Sequence, residues 1–206
     1  MPRPRFNKLT AEKRESILEA AAKEFATHGF EGASLNQILS NAGISKGAAY
    51  YYFDDKADLY ATTVLHYSQE LMASLSFDPA QFTAVNFWNA LTAVYQQQFT
   101  SFAERPWVFG VAKAGGAVTP EMLKAEPFTE FWEQAQFLMA QLIQYGRELG
   151  VIRTDLPDDL LLALIVAVDD THDRWLVANW SDLSPADLEQ AASRISDTLR
   201  RLLSPA

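Results

Sequence analysis

Between positions 46 and 51 the chain places an ammonium group (Lys46), two residues small enough to let the backbone approach a partner (Gly47, Ala48) and two phenolic hydroxyls (Tyr50, Tyr51). Groups of this kind grip and read a surface. Ammonium and phenol hydrogens reach phosphate oxygens, a lysine reaches a guanine edge, and an alanine methyl touches a thymine methyl. Asn36 adds an amide that can pair with adenine or hold a phosphate. Lys56 lies in the first turn of a further helical stretch, where a cation opposes the helix dipole. A phosphate bound there would gain from the ammonium and from the free backbone N–H groups together. The alternative for Lys56 is a solvated surface lysine.

These groups need rigid carriers, and the surrounding sequence predicts them. Ser34 followed by Gln37 matches a capping box, with the serine as cap first and as DNA contact second. Leu35, Ile38, Leu39 and Ala42 then share one helical face. Gly43 stands where a chain leaves a helix through a left-handed residue. Ser45 can cap a second short helix carrying Lys46 to Tyr51. Two short helices joined by such a turn form a helix-turn-helix, whose second helix enters the major groove of DNA. Ahead of it, Ile17, Ala21 and Phe25 mark a helix from about Thr10 to Thr27, ended by His28-Gly29. After it, Asp54 or Asp55 can cap a fourth helix running through Leu59, Val64, Leu71 and Leu75. Tyr52 and Phe53 read as core. Three consecutive tyrosines point about 100° apart on a helix and cannot all be buried.

The chain of 206 residues has a formal net charge of −9, which is unevenly spread. Residues 1–53 hold seven basic and five acidic side chains, so the remaining 153 carry −11. A weakly cationic head on an acidic body is compatible with DNA, because affinity follows the charge near the phosphates. With no cysteine, disulfides and thiolate metal sites are excluded, and a reducing cytoplasm is the expected location. The N-terminal residues lack the apolar run of a secretory signal. The longest apolar run, Leu160 to Val168, is nine residues, against roughly 20 needed to span a bilayer. No membrane association, cofactor or metal is expected.

The run from Ile17 to Tyr60, ILEAAAKEFATHGFEGASLNQILSNAGISKGAAYYYFDDKADLY, resembles the DNA-binding head of TetR-type transcriptional regulators. The resemblance rests on the HGF-x-G turn, AGISKG, YYYF and the lysine three residues on. It covers roughly a quarter of the chain. Ala49 and the pair Asp54-Asp55 depart from the common pattern, where a larger apolar residue and less acidic residues are frequent. What the resemblance implies is an all-α homodimer, usually a repressor. Such a protein joins a three-helix helix-turn-helix head (residues 1–55) to a C-terminal helical ligand-binding and dimerisation domain (residues 56–206). Its partners would be a palindromic double-stranded operator and a small-molecule effector. The DNA-binding set is then Ser34, Asn36, Lys46, Gly47, Ala48, Tyr50, Tyr51 and Lys56.

The body reads as helical throughout. Stripes run over Ala80 to Phe102, Pro106 to Ala114, Phe128 to Leu149, Asp155 to Trp180 (opened by Pro157) and from Ser184-Pro185 onward, with a loop at Gly115-Gly116 and Pro120. Aromatic residues crowd the first three. Trp88, Tyr95, Phe99, Trp107, Phe131 and Trp132 form a candidate apolar cavity, with Asp169 and His172 as polar handles. The alternatives are ordinary core for the aromatic residues and a dimer seam for the two polar ones. Leu161, Leu164, Ile165, Val168 and Trp175, with the last helix, suit a bundle formed by two subunits. Three function classes remain: a ligand-responsive regulator, a constitutive DNA binder, and a small helical enzyme pairing His172 with Asp169. The last has no nucleophile motif, Gly-rich phosphate loop or metal-ligand spacing behind it, and no catalytic residue is assigned.

Overall fold

A computed structural model describes residues 2–74, 81–113 and 126–205 of the chain. Within them lie nine α-helices and no strand. They are α1 (Ala11–Gly32), α2 (Leu35–Asn41), α3 (Lys46–Tyr52), α4 (Lys56–Ser74), α5 (Phe87–Glu104), α6 (Pro106–Lys113), α7 (Glu126–Glu148), α8 (Asp158–Asn179) and α9 (Pro185–Leu203). The expected loop at Gly115-Gly116 and Pro120, and Leu75 and Ala80, lie outside the described residues.

The helices group into two compact units. The first takes Met1–Leu71 together with Arg105–Thr129, and the second Met72–Glu104 together with Glu130–Ala206. The division at residues 55 and 56 drawn from the sequence therefore falls at the head of α4, inside the first unit. The reason is burial: Leu59, Tyr60, Val64, Leu65 and Tyr67 of α4 are core residues, as are Val108, Phe109 and Val111 of α6. The three helices ahead of α4 bury too little alone, so α4 and α6 complete the shell.

In the first unit the core centres on α1. Ile17, Ala21 and Phe25 are wholly buried, as their helical spacing requires. The Phe25 ring meets Tyr60 edge-on at 4.8 Å, and Phe30 lies 5.2 Å from the same tyrosine. Gly29 takes φ 67°, the left-handed turn expected there, yet helical hydrogen bonding resumes to Gly32. The element is thus longer than the sequence pattern suggested and bent at its glycine.

The second unit packs Phe87 and Trp88 of α5, Ile143 of α7, Leu161 and Ile165 of α8, and Ile195, Leu199 and Leu203 of α9 into one core, with Ile152 from the α7–α8 connection. α5 starts at Phe87 rather than Ala80. Thr83 and Asn86 exchange hydrogen bonds between their side chains and backbone N–H groups, fixing the start just after them. α8 starts after Pro157, which is its cap residue, while Asp155 is held by Arg153 outside the helix. At α9 the capping box forms in full between Ser184 and Asp187, with Pro185 in the first turn. No helix among the described residues is long and apolar enough to cross a membrane.

Candidate DNA-binding interface and effector site

The turn between α2 and α3 is built from its caps. Ser34 accepts the N–H of Gln37, but the reciprocal half of the expected capping box is absent. Gln37 instead donates to Asn41, and the Ser34 N–H is taken by the carboxylate of Glu24 from α1. At the far end Gly43 adopts φ 61°. Its N–H bonds the Ser40 carbonyl and the Ile44 N–H bonds that of Leu39, the double closure of a Schellman motif. Lys13 of α1 donates to the Ala42 carbonyl at 2.9 Å and ties the turn down. Ser45 then caps α3 by accepting the Ala48 N–H.

On α3 this leaves Lys46 and Gly47 exposed, Ala48 half-exposed, and Tyr50 and Tyr51 exposed at 47% and 46%. Asn36 and Ser34 are also at the surface. Tyr52 is half-buried and Phe53 is core, so the tyrosine triplet divides as helical geometry demands.

Lys56 differs from its sequence-based reading. Its ammonium donates to the carbonyls of Glu31 and Ala33 and lies 4.7 Å from the centre of the Phe30 ring. The lysine thus has a structural benefit that spacing alone did not reveal: it closes the C-terminal end of α1, a favourable place for a cation. Asp55, not Asp54, caps α4 by accepting the Asp58 N–H, while Asp54 pairs with Arg3 at 2.6 Å.

Arg3 belongs to an element that sequence reasoning missed. Residues 2–9 fold back as an arm with a short 3₁₀ turn at Phe6–Lys8. Phe6 is buried, 4.9 Å from Phe53 and 6.3 Å from Tyr52, and the Arg3 N–H donates to the Tyr52 carbonyl. The Arg5 guanidinium rests 4.0 Å from the centre of the Tyr51 ring, a contact worth about 0.5–1 kcal/mol at an exposed site. The available signal was Phe6, the one aromatic residue in a charged stretch.

The proposed effector residues do not come together as one set. In the second unit a cavity of about 40 Å³ is lined by Phe87, Trp88, Leu91 and Tyr95 of α5, by Met139, Leu142 and Ile143 of α7, and by Ile152, Ile165, Leu199 and Leu203. Trp88 and Tyr95 thus lie on it. Phe99 is buried in the core without lining it, and Trp132 is 49% exposed. Phe131 is half-exposed and off the cavity. Trp107 belongs to the first unit, where Lys23 lies 4.3 Å over its ring. Sequence density groups aromatic residues on neighbouring stripes but carries no information about which unit each stripe joins. Asp169 reaches the cavity wall indirectly, accepting the Tyr95 hydroxyl at 2.7 Å. Burial and then the Asp169 charge push the Tyr95 phenol well above its ordinary pKa, keeping it a neutral donor.

His172 stands apart from that pair. Its Nδ1 is enclosed and makes no hydrogen bond among the described residues. Burial and then the Arg194 charge hold its pKa below the usual 6.5, against a smaller opposing pull from Asp173. The folded state therefore binds this proton less readily than the unfolded chain. The resulting stability is present above the unfolded pKa and is lost as pH falls through the folded one. Replacing His172 with Gln is expected to flatten the fall in melting temperature between about pH 7 and about pH 5, as followed by circular dichroism. An unchanged pH profile would assign the acid sensitivity to other groups.

Residues 17–63 match the family model described as bacterial regulatory proteins, tetR family. The transcriptional repressor AcnR of Corynebacterium diphtheriae is 28% identical over 163 residues, 77% of each chain. The repressor BepR of Brucella suis is 39% identical over 54 residues, 26% of each chain. Among solved structures, the regulator FadR of Bacillus subtilis in complex with stearoyl-CoA superposes with a TM-score of 0.73 at 19% identity, over 89% of this chain and 96% of that one. The 39% identity to BepR covers a short stretch, while the fold likeness to FadR runs over most of the chain.

Proposed function

Because this chain belongs to the TetR family of bacterial regulatory proteins, we propose that it is a ligand-responsive, dimeric transcriptional repressor released from a palindromic operator by a small apolar or aromatic effector. The observation that carries the reading is the exposed face of α3. Lys46, Gly47, Tyr50 and Tyr51 all lie open on it, directly after a turn locked at both ends. Ser34, Asn36 and Ala48 belong to the same interface, and Lys56 adds its positive charge from the start of α4. The absence of cysteine suits a reducing cytoplasm.

A dimer is supported by α8. Leu160, Val166 and Val177 are exposed on the side opposite the buried Leu161, Ile165 and Leu176. A second copy covering that face would remove the apolar surface from water. Leu161 and Ile165, expected at the subunit seam, instead fill the chain's own core.

The cavity lining is aliphatic and aromatic, with one hydroxyl from Tyr95, which favours an apolar effector with at most one polar group near Asp169. At about 40 Å³ it has room for little more than one water molecule. Effector pockets occupy roughly 300–1,000 Å³. Binding therefore requires α5 and α7 to part, and that opening is the conformational change available to a switch. α4 runs from Lys56 into the residues that belong to the second unit, so a ligand-favoured setting of α4 would shift its DNA-proximal start. Two recognition helices must be set about 34 Å apart on DNA, so such a shift breaks operator binding. By linkage, operator DNA must weaken effector binding by the same factor.

The test is selection of duplexes from a random pool by the purified protein, followed by release with apolar small molecules. Enrichment of an inverted repeat, and a ligand response abolished by Met139→Trp with DNA affinity unchanged, is the expected outcome. A pool that shows no enrichment overturns the reading. Response retained in the Met139 variant moves the effector site elsewhere.

A further inference from the structure

Resting on the DNA-binding reading above, we propose that the N-terminal arm is a second DNA-contacting element, in which Arg5, held over Tyr51, supplies a phosphate contact beside α3. Four of the seven cations in residues 1–53 are already engaged within the head. Arg3 is paired with Asp54, and Lys13 with the Ala42 carbonyl. Arg14 donates to the carbonyls of Asn7 and Leu9, and Lys23 pairs with Glu19 beneath Trp107. Three remain without a carboxylate or carbonyl partner among the described residues: Arg5, Lys8 and Lys46. Lys46 is already on the α3 face.

Arg5 is the second cation brought to that face, and the means are specific. Phe6 anchors the arm by burial against Phe53 and Tyr52, and the Arg3 N–H fastens it to the last carbonyl of α3. The Arg3 side chain also neutralises Asp54, removing a carboxylate that would repel phosphate near the same end of the helix. Arg5 is then left with its guanidinium against an exposed aromatic ring that itself belongs to the proposed interface. A guanidinium resting on a ring face can keep its N–H edge free for a second partner. Such a fork matches a phosphate in geometry as well as charge.

The measurement is the salt dependence of binding to the duplex enriched by the wild-type protein from a random pool. One phosphate contact contributes about 0.9 to the slope of log affinity against log salt. Arg5→Ala is expected to flatten the slope by that amount for each Arg5 engaged. From about 50 to about 200 mM salt, each lost contact then makes the variant's affinity fall about 3.5-fold less than that of the wild type. Arg5→Lys should keep the slope, whereas Tyr51→Ala should lower it in part by releasing Arg5. Because Arg5 is exposed, its replacement leaves the core intact. A slope unchanged in Arg5→Ala, with wild-type binding present, overturns the inference alone. A wild-type protein that enriches no DNA overturns the DNA-binding reading and this inference with it.

Discussion

Removing the Lys46 ammonium and the Tyr51 ring together is expected to weaken operator binding by roughly two to four orders of magnitude, while helicity and melting temperature stay within experimental scatter. On the proposed reading, each group makes a base-edge, sugar or phosphate contact of a kind that costs roughly 1–3 kcal/mol when deleted. Neither contributes to the core, since Lys46 and Tyr51 are both exposed. Loss of Tyr51 also frees Arg5, so the two losses need not add simply. Fluorescence anisotropy with the selected duplex gives the affinity, and circular dichroism gives the fold. An affinity within about threefold of wild type would mean that α3 is not the reading helix, since even one such contact exceeds that.

The opposite kind of loss is expected from Phe25→Ala. This ring is wholly buried in α1, stacks near Phe30 and meets Tyr60 edge-on. Phenylalanine-to-alanine changes in cores cost about 3–5 kcal/mol, because lost burial is compounded by an unfilled cavity. That is a large part of the roughly 5–15 kcal/mol that holds a typical protein folded. DNA binding should disappear together with stability against urea, the reverse of the surface variant's behaviour. A cost below about 1 kcal/mol would show that the first unit collapses around the gap and that Phe25 is not its keystone.

Much of this interface could be read from the chain, for a definable reason. Caps and left-handed turns act over three to five residues, so Thr10, Ser34, Gly43, Ser45 and Ser184 occupy the predicted positions. The exposure of Lys46, Gly47, Tyr50 and Tyr51 follows from those caps by helical geometry. What could not be read depended on distant partners. Glu24 bonding Ser34, Lys56 closing α1, and Phe6 reaching Phe53 join residues far apart in sequence. The apolar run at Leu160 to Val168 covers every side of its helix, so periodicity cannot say which side faces inward. Leu161 and Ile165 turned out to be internal, with Leu160 and Val166 outside. Crowded aromatic residues carry the same ambiguity: Trp107 resembles Trp88 and Tyr95 in sequence setting yet belongs to the other unit.

The engagement of Lys13, Arg14, Lys23 and Arg3 within the head bears on how the protein finds its target in a chromosome. Affinity for arbitrary sequence grows with the number of phosphates neutralised, and few cations are left to do so. Residence on random DNA should accordingly be brief, with short excursions along the duplex separated by returns to solution. A genome offers roughly 10⁶–10⁹ competing sites, so weak retention at each leaves more molecules unsequestered. Few copies per cell would then suffice to keep one promoter occupied. The same economy makes occupancy sensitive to any effector that lowers operator affinity modestly.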